Sequence, residues 1–220
     1  MDGYVLWGCK GCGSAIVESM LQLAGLRYEF EEVDYTEPGP RRDRLLALNP
    51  LGQVPVLVLP DGSVMTESAA IAFHVDDRAP HAELVPADGE PMRDAFLRWL
   101  LFLVAAVYPT FTYGDEPRKW VGGAVGSGVE SGAGGDECGK ALRASTDEHR
   151  RRLWSMLEAG ALAEPYFLGR FSAIDLYLAV MSNWRPGRDW FASNCPRLTA
   201  AAAAAAALPG VDYVLKRNFG

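Results

Sequence analysis

Two of the chain's four cysteines stand three positions apart in Cys9-Lys10-Gly11-Cys12, with Ser14 just beyond them. A C-x-x-C pair at the start of a helix suits dithiol–disulfide chemistry, in which the first thiolate attacks and the second resolves the mixed disulfide. Lys10 and the positive end of a following helix both favour the thiolate. One such side chain could instead act on the sulfur of a bound thiol. A free thiol, with a pKa of about 8.5, is mostly protonated at neutral pH, and a hydrogen-bond donor at a helix N-terminus stabilises its thiolate. The plainer readings are that Cys9 is a packed strand-end residue and Ser14 only a helix cap. Cys138 and Cys195 have no partner motif. His74, His81 and His149 lie far from the cysteine pair without metal-like spacing, so no metal is expected.

A second group of polar atoms is implied by Asn49–Leu57 and Thr66–Ala70. Asn49-Pro50 and Leu51-Gly52 stop the preceding helix. Val54-Pro55-Val56-Leu57-Val58-Leu59 is a short apolar run that suits a buried strand. Pro55 cannot donate to a ladder, so it belongs at the strand's beginning or at an edge. With a cis Val54–Pro55 bond, the N–H and C=O of Val54 turn outward, where a peptide-like ligand can pair with them. The turn Pro60–Ser63 leads into a second short strand, Ser63–Met65. Glu67-Ser68 then opens a helix whose free N–H groups, with the Ser68 hydroxyl, are placed to hold a carboxylate.

The elements that position these groups read β-α-β-α-β-β-α over the first 80 or so residues: Tyr4–Trp7, Ser14–Ala24, Tyr28–Tyr35, Arg42–Leu48, then the two strands and closing helix above. Strand–helix alternation followed by a hairpin predicts an α/β, thioredoxin-like mixed sheet. Ala79–Pro91 reads as a linker. Beyond it, residues 91–220 show no strand pattern. Helices are predicted over Met92–Tyr108, about Leu142–Gly160, Ala173–Trp184 and Leu198–Ala207, giving an all-α second domain. Gly122–Gly139, rich in Gly, Ser and Ala, predicts a flexible loop. Ser172 and Asp175 form a capping box with a structural role, and replacing Ser172 by Ala should cost about 1 kcal/mol.

At 220 residues the chain has room for two domains and a sizeable core. Its net charge of −7 argues against nucleic acid or an anionic membrane as the main partner. The most apolar segment, about Phe96–Tyr108, is too short to cross a bilayer. No basic, apolar leader is visible at Met1-Asp2-Gly3-Tyr4, and four cysteines make no disulfide scaffold. A cytoplasmic location is the expectation.

Asn49–Leu57 matches N-P-x-G-x-V-P-x-L letter by letter, and Glu67-Ser68 follows at the right distance. Together they resemble the glutathione site of the cytosolic glutathione transferase superfamily, and Ser172-x-x-Asp175 resembles the box that opens a buried helix in its second domain. The resemblance implies a glutathione-binding domain over residues 1–80 and a helical substrate domain over 91–220. It also implies glutathione as co-substrate and a homodimer. Val54 beside Pro55 would hold the cysteinyl backbone of glutathione. Glu67 and Ser68 would take its γ-glutamyl amine and carboxylate, Gln53 a carboxylate, and Arg41 or Arg42 would add positive charge. Tyr108, Phe111, Tyr113 and Trp120 would line a pocket for an apolar electrophile. No tyrosine lies in the loop Trp7–Ala15, which resembles the bacterial branch with a serine or cysteine at the sulfur; that resemblance implies Cys12 as the first choice for the residue at the sulfur, with Ser14 and Cys9 behind it. Three functions remain open: transfer of glutathione to an electrophile, glutathione-dependent thiol–disulfide exchange through Cys9 and Cys12, and a glutathione-binding module without catalysis.

Overall fold

The computed structural model describes residues 3–121 and 133–220. Four strands, β1 (Tyr4–Gly8), β2 (Tyr28–Glu32), β3 (Val56–Val58) and β4 (Val64–Met65), form one sheet in the order β2-β1-β3-β4. β1 and β2 are parallel, whereas β3 runs antiparallel to both β1 and β4. Alternation along β1 sends Tyr4 and Leu6 to one face and Trp7 to the other. Helix α1 (Ser14–Leu23) and helix α3 (Ser68–Arg78) cover the first face; Trp7, Val33, Leu45, Val56 and Val58 form a small separate cluster on the second, where α2 (Pro40–Leu48) contributes Leu45. This is the thioredoxin-like arrangement that the alternation predicts.

The remainder is helical in the described residues: α4 (Arg93–Phe102), α5 (Tyr108–Asp115), α6 (Ala133–Gly160), α7 (Ala173–Met181), α8 (Arg188–Asn194), α9 (Pro196–Ala206) and α10 (Val211–Phe219). Every residue of α1 from Ser14 to Leu21 is buried, because α1 lies between the sheet and the helical half, against α7 and α10. One apolar cluster therefore runs from Leu6 through Ile16 and Met20 into Leu176, Tyr177 and Val214. The Ser172–Asp175 box is present at the start of α7, where the Ser172 N–H donates to Asp175 Oδ2 at 2.9 Å. The second carboxylate oxygen accepts from the Phe167 N–H at 2.8 Å.

Three expectations need correction. The helix expected to end at Tyr108 runs on to Asp115, through a π turn at Leu103–Val107. Pro109 signals an end because its ring crowds the carbonyl four residues back. Here that carbonyl belongs to Ala105, inside the widened turn, which accommodates the proline. The resulting 23-residue segment Arg93–Asp115 is long and apolar enough to cross a membrane by length and composition, unlike the shorter segment expected; Phe96, Trp99, Leu100, Leu103 and Phe111 on it are buried in the core. The loop expected over 122–139 is helical from Ala133, since a long helix extends backward at little cost once nucleated; residues 122–132 lie outside the described residues. Finally, α8 and α10 went unpredicted. Both are short, and α10 shows only Val211, Val214 and Leu215 as its buried stripe.

Candidate active site

The chain leaves β1 at Gly8, turns through Cys9–Gly13 and enters α1. Cys9 and Cys12 are joined as a disulfide, with Cα atoms 5.6 Å apart, and both are half-buried. Cys12 immediately precedes the N-cap Gly13 and so stands at the positive end of α1. Ser14 has another task. It is fully buried, donates to the Cys9 carbonyl at 3.0 Å and accepts from the Cys9 N–H at 3.2 Å. Its hydroxyl closes the turn.

The Val54–Pro55 bond is cis. Pairing of Trp7 with Val56 ends the antiparallel register, so Val54 lies just before β3, at the end of the sheet where β1 leads into the cysteine loop. The main-chain N–H and C=O of Val54 carry no hydrogen bond within the described residues. Buried Asn49 shapes the approach: its Nδ2 donates to the Gln53 carbonyl at 2.9 Å and its Oδ1 accepts from the Leu51 N–H at 3.2 Å. Gln53 itself is exposed.

Glu67 precedes α3 with φ 62° and ψ 102°. A non-glycine residue held there costs on the order of 1–3 kcal/mol, and such strain concentrates at functional sites. Its side chain is exposed. Ser68 begins α3, and its Oγ lies 2.5 Å from the hydroxyl of Tyr177 in α7. Burial raises the Tyr177 hydroxyl well above its ordinary pKa, so it stays protonated.

Tyr108 faces this loop from the helical half. A Cβ added at Gly13 would run into the Tyr108 hydroxyl, so the absence of a side chain at Gly13 lets that hydroxyl reach the start of α1. The Tyr108 ring meets Trp184 edge to face at 5.6 Å, and Phe111 meets Trp184 at 5.1 Å. Burial raises the pKa of the Tyr108 hydroxyl too, and the nearby Tyr177 hydroxyl adds to the shift. Ser68, Tyr177, Tyr108 and Gly13 thus run in sequence from α3 to the cysteine loop.

The other expected residues lie apart or are occupied. Phe111 is a core residue with the Arg150 guanidinium 3.8 Å from its ring centre. Tyr113 and Trp120 are exposed and stack on each other at 4.7 Å; no ring contact joins them to Tyr108 or Trp184. Arg41 donates to the Glu32 carbonyl and Arg42 to the Tyr35 carbonyl, so both brace the chain ahead of α2. No cluster of three or more metal-binding side chains occurs among the described residues.

Sequence reasoning missed Trp184, Tyr177 and Asn218. The Trp184 indole donates to the Gly11 carbonyl at 2.8 Å, and the Gly11 N–H donates to Asn218 Oδ1 at 3.0 Å. Both partners lie far along the chain, and no local pattern marks them.

A cysteine pair between a first strand and helix, with the unpaired main chain of Val54 ahead of β3 and a strained helix start beyond, defines a thioredoxin-like thiol site closed by a helical domain. Residues 14–78 match the family model "Glutathione S-transferase, N-terminal domain". The chain is 40% identical over 215 residues to the "uncharacterized GST-like protein YncG" of Escherichia coli (strain K12), covering 97% of both chains. It is 26% identical to a glutathione transferase homologue from Sulfitobacter solved with bound glutathione, with TM-score 0.80 over 98% of each chain. A sphingomonad glutathione S-transferase solved with glutathione has TM-score 0.72 at 26% identity, covering 96% of this chain and 97% of that one. This chain belongs to the glutathione transferase superfamily.

Proposed function

We propose that this chain is an enzyme that binds glutathione between Val54 and the start of α3 and presents its sulfur at the N-terminus of α1, for transfer to an apolar electrophile. The observation that carries the reading is the unpaired main chain of Val54 beside the cis Pro55, just before β3, whose neighbour β1 leads into the cysteine loop. A peptide-like ligand that pairs with the Val54 main chain ahead of β3 would set its own cysteine toward the Cys9–Cys12 loop. Ser68 and the free N–H groups of α3 receive the γ-glutamyl carboxylate and exposed Glu67 its amine. Gln53 lies at the other end. In the reduced protein Cys12 is the residue beside the bound sulfur, and Tyr108, held protonated by burial, is a donor toward the same place. Tyr108 and Trp184 form the apolar wall. Phe111 supports that wall from within the core, and Tyr113 and Trp120 lie outside it.

A second reading is favoured by the Cys9–Cys12 disulfide. With both thiols reduced, the Cys9 thiolate attacks a substrate disulfide and releases one thiol as a mixed disulfide forms. The Cys12 thiolate then displaces the second thiol, leaving Cys9–Cys12 oxidised. Two molecules of glutathione restore the dithiol and leave as glutathione disulfide, so electrons balance.

Calorimetry with glutathione on reduced protein tests the binding reading. Glu67→Ala and Ser68→Ala should each weaken binding by about 1–3 kcal/mol, the cost of a lost charge-assisted bond. Unchanged affinity in both variants would remove the assignment. Binding without turnover of either aryl halides or disulfides would leave a glutathione-binding module in the fold, and the catalytic reading would fall.

A further inference from the structure

The loop that carries the two cysteines is held from outside its own domain. Gly11, between them, has φ +72°, a conformation natural to glycine. Both of its main-chain polar groups are taken by side chains from distant parts of the chain. Trp184, just after α7, donates its indole N–H to the carbonyl, and Asn218, in the last turn of α10, accepts from the N–H. Helix α10 is itself fixed on the first domain. Arg217 pairs with the fully buried Glu18 of α1 at 2.5 Å and lies over the Phe30 ring at 4.3 Å. The Tyr28 hydroxyl donates to the other Glu18 oxygen at 3.0 Å. Trp184 is wedged against Tyr108 and Phe111. The clamp therefore joins two rigid supports to one glycine.

We infer that Trp184 and Asn218 are positioning residues that set how readily Cys9 and Cys12 form their disulfide. The inference rests on the reading that these cysteines are the reacting centre. The physical reason is conformational. Oxidation takes two protons and two electrons from the thiols and passes them to a disulfide acceptor, which becomes two thiols. The disulfide form is already closed by its own cross-link, so releasing Gly11 adds little freedom to it. The dithiol form has no cross-link, and releasing Gly11 lets it spread over more conformations. Removing either clamp stabilises the dithiol relative to the disulfide.

The test is the thiol–disulfide equilibrium of the full chain in buffers of reduced and oxidised dithiothreitol, read by alkylation and mass analysis of the Cys9–Cys12 peptide. Trp184→Phe keeps an aromatic ring against Tyr108 and removes the N–H together with the second ring; Asn218→Ala removes the acceptor. Each should lower the equilibrium constant for disulfide formation about three- to tenfold, the usual range for one hydrogen bond, where tenfold corresponds to about 30 mV for this two-electron couple. Lys216→Ala, on the exposed side of α10 where Lys216 pairs with Asp212, should leave it unchanged. A thermal melt establishes that each variant is folded, and a merely structural role would move the melt and not the equilibrium constant. A constant within twofold of wild type in a folded variant overturns the proposal for that residue. Because dithiothreitol replaces glutathione, the result stands whether or not glutathione binds, so failure of the clamp and failure of the functional reading are told apart.

Discussion

The hydroxyls of Ser68 and Tyr177 lie 2.5 Å apart and tie the start of α3 to the buried centre of α7. A serine hydroxyl donates once and accepts twice. Tyr177 is kept protonated by burial and either hydroxyl can be the donor; the arrangement in which Tyr177 donates leaves the Ser68 proton for a ligand carboxylate. Tyr177→Phe is therefore expected to weaken glutathione binding about three- to tenfold while leaving the Ser68 side chain in place. Titration calorimetry on the variant reads this directly, and an affinity equal to wild type would mean that Ser68 is oriented without its partner.

The two catalytic readings separate at the cysteines. In a transferase that relies on Cys12, Cys9→Ser should keep most activity toward electrophiles and Cys12→Ala should lose it. In a disulfide reductase, Cys9→Ser should abolish turnover, because the attacking thiolate is gone. Cys12→Ser should then accumulate a glutathione adduct on Cys9, seen as added mass on the intact protein. Ser14→Ala should act mainly on stability, since its buried hydroxyl serves the Cys9 main chain at both N–H and C=O. Selective loss of activity in a fully stable Ser14→Ala protein would return the catalytic role to Ser14.

Local chemistry made the first half of the molecule readable. Asn49-Pro50, Leu51-Gly52 and Pro55 constrain their own backbone, so the loop, the strand start and the helix start at Ser68 follow from residues a few positions apart. The same holds for Ser172 and Asp175, whose box depends on a spacing of three. Ser14 was open to two readings, because a serine at a helix start serves equally as a cap or a ligand donor, and burial with both bonds to Cys9 is visible only in the fold. Trp184, Tyr177 and Asn218 were not readable, because each acts through a partner at least 109 positions away. Aromatic density in sequence also does not say where the rings lie: Tyr113 and Trp120 pair with each other at the surface, apart from Tyr108 and Trp184.

Asp175 gives the fold a pH dependence of known sign. Burial pushes its carboxyl from an ordinary 3.8 up to about 6, against the N–H groups of Phe167 and Ser172, which pull it down. A carboxyl raised on folding contributes stability that is full below about pH 4 and is lost as pH rises through about 6. Asp175→Asn does not titrate, so the wild-type-minus-variant difference in unfolding free energy isolates the group. That difference should fall by up to about 3 kcal/mol between pH 4 and 7 and then level off. Denaturant unfolding at several pH values measures it, and a difference that rises over this range would mean that the hydrogen bonds outweigh burial.

Gly13 and Tyr108 provide a test of the contact between the two halves at the loop. Gly13 has φ −64° and ψ −14°, a helical conformation open to any residue, so alanine there meets no backbone penalty. The main obstacle is the Tyr108 hydroxyl: an alanine Cβ would overlap it, and the ring carbon behind it, at 3.0 Å, is a tight contact that must give slightly. Tyr108 cannot simply swing aside, because Trp184 and Phe111 pack edge to face against it. Gly13→Ala should therefore destabilise the chain by about 1–3 kcal/mol, the usual cost of overpacking. Tyr108→Phe removes the overlapping oxygen, so adding it to Gly13→Ala should recover a large part of that loss. Alone, Tyr108→Phe should change stability little and should lower turnover of electrophiles, because the donor facing the sulfur is gone. A four-member cycle of unfolding free energies measures the coupling. A coupling near zero would mean that Tyr108 does not press on Gly13 in solution, and the hydroxyl would no longer be placed at the head of α1.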